Sequence, residues 1–216
     1  VDNVVVEIDG PEVPVMDGSS RAFVDAIAEV GLVEQSAGRR YIRVLKPVRF
    51  ASGGSWCEFV PADTRQFDIE IDFDCPTVGR QRMVVDLTAD LFSREIAGAR
   101  TFGFMKDVER LWAAGYALGS SLDNSVVICD HDEIVNPEGL RYVDEFVRHK
   151  LLDAIGDLSL AGYAILGLYR SYRGGHKMNA AALNELLSDS SNYELVVEQP
   201  VPAKVSGSVV TLNTAN

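Results

Sequence analysis

The stretch Gly139–Asp157, GLRYVDEFVRHKLLDAIGD, decides how the rest of the chain is read. Val143, Phe146, Val147, Leu151, Ala154 and Ile155 recur at helical spacing, and no Gly or Pro interrupts the run before Gly156, so the pattern predicts a helix. On that helix His149 and Asp153 are four residues apart and share a face, and Asp157 extends the row by another turn. An imidazole and a carboxylate so placed can hold two corners of a zinc tetrahedron. They can also form a plain i,i+4 pair on a solvated helix, and for the pair alone that is the simpler reading.

Downstream, Leu158–Leu168 reads as a second, more apolar helix. Gly174-Gly175-His176 opens a last helix through Leu183 and Leu187, and Leu195–Val197 suggests a strand. The small, polar residues of 199–216 read as a mobile tail. Upstream, Val4–Ile8 reads as a short β-branched strand and Pro11–Gly18 as a loop. Ser19 or Ser20 can cap a helix through Phe23, Ile27 and Val30 that Gly31 ends. Polar Glu34–Arg40 reads as a linker, dividing a first unit over 1–37 from a second over 41–198.

Strands are expected at Tyr41–Leu45, Trp56–Val60, Met83–Leu87 and Ser125–Cys129. The clearest one has Phe67, Ile69, Ile71 and Phe73 alternating with Asp68, Glu70, Asp72 and Asp74, a period of two that sets a buried face against a wet one. Thr88 caps a helix through Leu91, Phe92 and Ile96; Ala99–Phe104 reads as a loop; a further helix carries Val108, Leu111 and Trp112 as far as Gly115. Strands arriving in runs, followed by helices, predict an α+β fold rather than a doubly wound parallel sheet.

At 216 residues the chain can bury a real core, and 47% apolar with 24% charged residues is a globular composition. No apolar run approaches the roughly 18 residues of a spanning helix, and the reading is of a cytoplasmic protein without a signal peptide. A net charge of −12 argues against a general nucleic-acid footprint but leaves room for a local basic pocket. Cys57, Cys75 and Cys129 are scattered and odd in number, which suits a reducing compartment and no disulfide framework.

The chain has three histidines. His176 follows two glycines, where backbone freedom lets a side chain project into a cleft, although a plain helix-start histidine fits as well. His131, between Asp130 and Asp132, reads as an exposed turn residue. A catalytic zinc takes three protein ligands and an open position, and His149 with Asp153 supplies two; no HExxH, phosphate-binding glycine loop or GxSxG elbow is present.

Six segments occur in one order: VDNVVVEIDGPEVPVMDGSS, IDFDCP, AGARTFGFMKDVERL, LGSSLDNSVV, EGLRYVDEFVRHKLLDAIGDLSLAGY and GGHKMNAAAL. Together they resemble the zinc-dependent UDP-3-O-acyl-N-acetylglucosamine deacetylases of lipid A biosynthesis, over almost the whole chain to about Leu195. The resemblance implies two similar α+β domains, each a sheet with two helices, the first only partly present. It implies zinc as cofactor, His149 and Asp153 as ligands, and His176 as a protonated imidazole that stabilises charge and protonates the leaving amine. Asp157 would orient His176, and Thr101 would hydrogen-bond the tetrahedral oxygen. Phe102 and Phe104 would flank sugar and acyl chain, Lys150 and Arg173 would meet the UDP diphosphate, and Ala117 and Ser121 would line an acyl passage. The family's HTVEH motif, with another ligand histidine and the glutamate base, precedes the segment matching Val1 and does not occur here. Cys75 stands where the family often has His and receives no role. The chain is thus expected to be the family protein without its N-terminal part. It would be a monomer that hydrolyses the N-acetyl group of a UDP-linked 3-O-acyl-glucosamine. The alternative is a catalytically incomplete fragment that only binds nucleotide-sugar or acyl ligand.

Overall fold

The alternating run around Ile69 is the strand β4 (Arg65–Asp72) of a computed structural model that describes residues 1–113, 115 and 119–198. β4 pairs antiparallel with β5 (Arg80–Asp86) and parallel with β8 (Ala164–Tyr172). β8 is the hub of the sheet. It runs parallel to β1 (Arg39–Val44) over residues 164–166 and antiparallel to β3 (Ser55–Val60) over residues 168–172. The partner changes at Gly167, whose φ of +155° and close neighbours explain the residue type: a Cβ there would lie 2.8 Å from Val44 Cγ2 and 3.1 Å from the Val60 carbonyl oxygen. β2 (Val48–Ser52) and β9 (Tyr193–Glu198) extend the sheet beyond β3 and β1. Among the described residues these seven strands form one sheet.

Phe67, Ile69 and Ile71 of β4 are buried as the alternation predicts, beside Phe59, Tyr169, Ile42 and Val44. The opposite row is less wet than expected. Asp68 is only 9% exposed, because Arg82 holds it with two hydrogen bonds (2.7 and 2.8 Å) and Arg170 adds a third at 3.3 Å. Its carboxyl is held below the ordinary range, chiefly by the Arg82 hydrogen bond.

Helix α4 (Glu145–Ser159) packs on β4 and β5, and helix α5 (His176–Leu187) packs on β2 and β3 and against α4. The sheet therefore carries two helices on one face, sealed by Phe146, Val147, Leu151, Ala154 and Leu158 from α4 and by Ala182, Leu183 and Leu186 from α5. Preceding them are α1 (Arg21–Val30), α2 (Ala89–Leu91, continuing as a π-helical turn through Ile96) and α3 (Met105–Ala113). The architecture is α+β.

Several sequence readings change. The helix predicted from Gly139 begins at Glu145, because Gly139 adopts φ +69° in a turn closed on the Asn136 carbonyl. Leu158–Leu168 is not a helix: α4 ends at Ser159, Gly162 turns the chain at φ +80°, and the apolar run that follows is β8. A short apolar run fits a buried strand as well as a buried helix, and the sheet decides. Residues 4–8 form no strand, since no ladder partner reaches them among the described residues, and Val4, Val5 and Val6 stay exposed. Phe102–Phe104, read as loop, is β6, paired parallel with β7 (Val126–Ile128). Ala117 and residues 199–216, the expected tail, lie outside the described residues.

Candidate active site

The predicted row is present on α4. His149 is buried, 7% exposed, and its Nδ1 lies 3.1 Å from the Ala99 carbonyl oxygen. That carbonyl can only accept, so Nδ1 carries a proton, and in the neutral ring Nε2 keeps its lone pair. Nε2 faces Asp153 Oδ1 at 3.3 Å. Burial pushes the His149 imidazole below its ordinary value, against the pull of the Asp153 carboxylate, so the ring is neutral at pH 7. A lone pair turned toward a carboxylate oxygen is an arrangement suited to a shared cation. Lys150 Nζ donates to the other oxygen, Oδ2, at 2.8 Å.

One turn on, Asp157 accepts from His176 Nδ1 at 2.9 Å (Oδ2) and 3.1 Å (Oδ1). His176 is the first residue of α5. Its Nε2 lies 4.0 Å from Asp153 Oδ2, so the two pairs adjoin. His149 and its backbone partner are shielded while the His176 side chain is 70% exposed. This arrangement buries a ligand-type imidazole and presents a proton-bearing one at the surface.

β6 forms the neighbouring wall. Phe102 stands edge-on to Phe146 (4.8 Å between centroids) and to His149 (6.4 Å), and Lys150 Nζ lies 5.4 Å from its ring centre. Phe104 packs on Phe73 at 6.0 Å. Thr101, half-buried, is tied by its backbone: its N–H donates to the Gly18 carbonyl and its carbonyl accepts from Val126 N–H, both at 2.8 Å. Arg173 is exposed at the β8–α5 junction, three residues before His176, with φ +52°. Ser121 is exposed in a turn closed by Asn124 Oδ1.

The structure brings together His149, Lys150, Asp153, Asp157, His176 and Phe102. It also adds groups that the sequence reading missed. Glu145 is fully buried at the start of α4, taking bonds from Arg100 N–H and Nε (both 3.0 Å), Arg100 Nη2 (3.2 Å) and Arg141 N–H (2.6 Å). Arg100 and Ala99 are consecutive, so this cluster fixes the same backbone that holds His149 and leads into Thr101. The signal was available, because Glu145 extends the 149, 153, 157 row back by one turn. Asn179 and Tyr169 are the other additions. Nothing marks Tyr169, which lies one residue past the helix expected over Leu158–Leu168.

Among the described residues no three His, Cys, Asp or Glu side chains converge on a metal position; His149 and Asp153 supply two groups that could hold one. Fold and site thus define a class: an α+β protein with hydrolase-type chemistry, in which a buried His–Asp pair adjoins an exposed His–Asp dyad. A family profile described as "LpxC: UDP-3-O-acyl N-acetylglycosamine deacetylase" matches residues 1–188. The UDP-3-O-acyl-N-acetylglucosamine deacetylases of Brucella ovis, Brucella suis and Brucella abortus are each 58% identical over 196 residues, which is 91% of this chain and 68% of theirs. The chain belongs to the UDP-3-O-acyl-N-acetylglucosamine deacetylase family.

Proposed function

We propose that this chain carries out N-deacetylation of UDP-3-O-acyl-N-acetylglucosamine, a step of lipid A biosynthesis, as a zinc-dependent, cytoplasmic, monomeric hydrolase. No helix among the described residues is long and apolar enough to cross a membrane. The observation that carries the reading is the adjoining of His149–Asp153 and Asp157–His176 within a chain of this family. His149 Nε2 and Asp153 would hold the ion, whose site needs a further ligand beyond these two. Zinc, when bound, acts as a Lewis acid toward the amide carbonyl and makes water nucleophilic at neutral pH.

The resemblance implies a glutamate of the HTVEH motif, which does not occur here, as the base for the water; this chain's residues serve the other steps. Asp157 keeps a proton on His176 Nδ1, which leaves Nε2 as the edge that handles a second proton. Water adds its oxygen to the carbonyl carbon as a base takes one of its protons, the amide C–N bond breaks, acetate leaves, and the departing amine takes a proton that His176 Nε2 delivers. Thr101 offers its hydroxyl to the developing oxyanion. Lys150 and Arg173 place positive charge for the diphosphate of an anionic substrate in a chain of net charge −12. Phe102 gives the sugar an aromatic wall.

A second reading is favoured by a ligand set that, among the described residues, stops at two members: the polypeptide binds the nucleotide-sugar without hydrolysing it. Acetate release from UDP-3-O-acyl-N-acetylglucosamine separates the two. His176→Ala is expected to lower turnover by roughly 10²–10⁴ with binding retained. Turnover within about tenfold of the parent would refute the acid role, and tight binding without any acetate release would establish the second reading.

A further inference from the structure

Behind the exposed His176 lies a buried hydrogen-bond chain that the reaction as described does not use. Tyr169, 2% exposed on β8, lies 2.6 Å from Asn179 Oδ1. Asn179, 3% exposed on α5, donates from Nδ2 to Asp157 Oδ2 at 2.8 Å. The same oxygen accepts from His176 Nδ1.

The direction of every bond in this chain is fixed by chemistry. A carboxylate only accepts, so the amide must turn its NH2 toward Asp157. Its oxygen then faces Tyr169 and also the Cys57 thiol, 3.9 Å away, and both are donors. A flipped amide would set Oδ1 against an oxygen of the half-buried Asp157 carboxylate. Burial pushes the Tyr169 phenol up and the Cys57 thiol up, so both keep their protons. Asn179 and His176 sit three residues apart in the first turn of α5, where the Asn179 N–H makes the helix bond to the Gly175 carbonyl. Asp157 is therefore gripped from both sides of one helix turn, on a site whose outer member is exposed to solvent.

We infer that Asn179 is a positioning residue of this site. It is locked by Tyr169, and it holds the Asp157 carboxylate in the one orientation that keeps the His176 proton on Nδ1 and aims Nε2 toward Asp153. The inference rests on His176 acting in the reaction. Polar groups that orient functional side chains in this way commonly matter by 10–100-fold when removed.

The test compares the parent chain with Asn179→Ala and Tyr169→Phe. Two readouts are taken: long-range ¹H–¹⁵N NMR of the histidine rings in the 216-residue protein, and kcat and KM for acetate release. In the parent, His176 shows a single tautomer with the proton on Nδ1. In Asn179→Ala that ring moves toward a mixed tautomer while the His149 signals stay, and kcat falls by roughly 10–100-fold with KM within about twofold. Tyr169→Phe gives the same pattern more weakly, and it decides the matter if Asn179→Ala does not fold. An unchanged His176 tautomer in a folded variant overturns the inference, as does a kcat within about twofold of the parent. A parent that releases no acetate counts against the proposed function instead, and the NMR comparison then decides the positioning role alone.

Discussion

At the scale of single residues, the site depends on charges removed from water. Glu145 is fully buried and Arg100 is 3% exposed. Burial pushes the Glu145 carboxyl up, but the hydrogen bonds from Arg100 and from the Arg100 and Arg141 backbone outweigh it, and the net shift is downward. A glutamate depressed in the folded state contributes stability that is present above its ordinary value of 4.5 and is lost as pH falls through the lower folded value. Glu145→Gln leaves Arg100, among the described residues, with the exposed Glu138 as its charge partner. It is expected to cost about 3–5 kcal/mol at pH 7. The gap between parent and variant should hold down to about pH 5 and narrow below pH 4.5, because the Gln does not titrate. Urea unfolding at pH 7, 5 and 3.5 checks this, and a gap independent of pH would refute the assignment. The row 149, 153, 157 could be read from spacing, because side chains four apart must share a helix face. The partners of that row could not, since Ala99, Arg100, Tyr169 and Asn179 arrive from other elements, and sequence spacing says nothing about them.

At the scale of elements, the strands with alternating residues were legible and the central one was not. β4 shows its period because one side faces the core and the other meets arginines. β8, AILGLYRSY, opens on the unbroken apolar run Ala164–Leu166, and its burial alternates only from Gly167 onward, so the sequence lacks the period that marks β4. Its Gly167 is the element's hinge between two partners, with no room for a methyl group. Gly167→Ala forces a Cβ to within 2.8 Å of Val44 Cγ2 at a φ that L-residues avoid, and is expected to destabilise the chain by about 1–3 kcal/mol. The loss should appear as a lower urea midpoint with an unchanged slope. Since β8 feeds directly into Arg173 and His176, a midpoint unaffected by the change would mean that the sheet relaxes freely there, and the rigid placement of His176 would lose its support.

At the scale of the whole molecule, the site lies on the outer face of a helix whose inner face is core, so a metal held by α4 reports on the folded state as a unit. Asp153 and His149 are held in register by packing of Phe146, Val147, Leu151 and Ala154 against the sheet. A cation that prefers this arrangement over the unfolded chain raises stability by linkage, by about 2.7 kcal/mol at a hundredfold excess over its Kd. For a chain of 216 residues that is a rise in Tm of roughly 5–10 °C. Zinc should therefore raise the melting temperature of the parent and leave Asp153→Ala unmoved, whereas His176→Ala should respond like the parent, because the role proposed for His176 concerns the proton and not the ion. Calorimetry on the metal-stripped proteins, with and without zinc, distinguishes the outcomes. A parent indifferent to zinc would mean that two ligands do not hold the ion in this chain. An equal rise in Asp153→Ala would place zinc elsewhere. Loss of the response in His176→Ala alone would recast the exposed imidazole as a ligand, and the proton it was assigned would need another carrier.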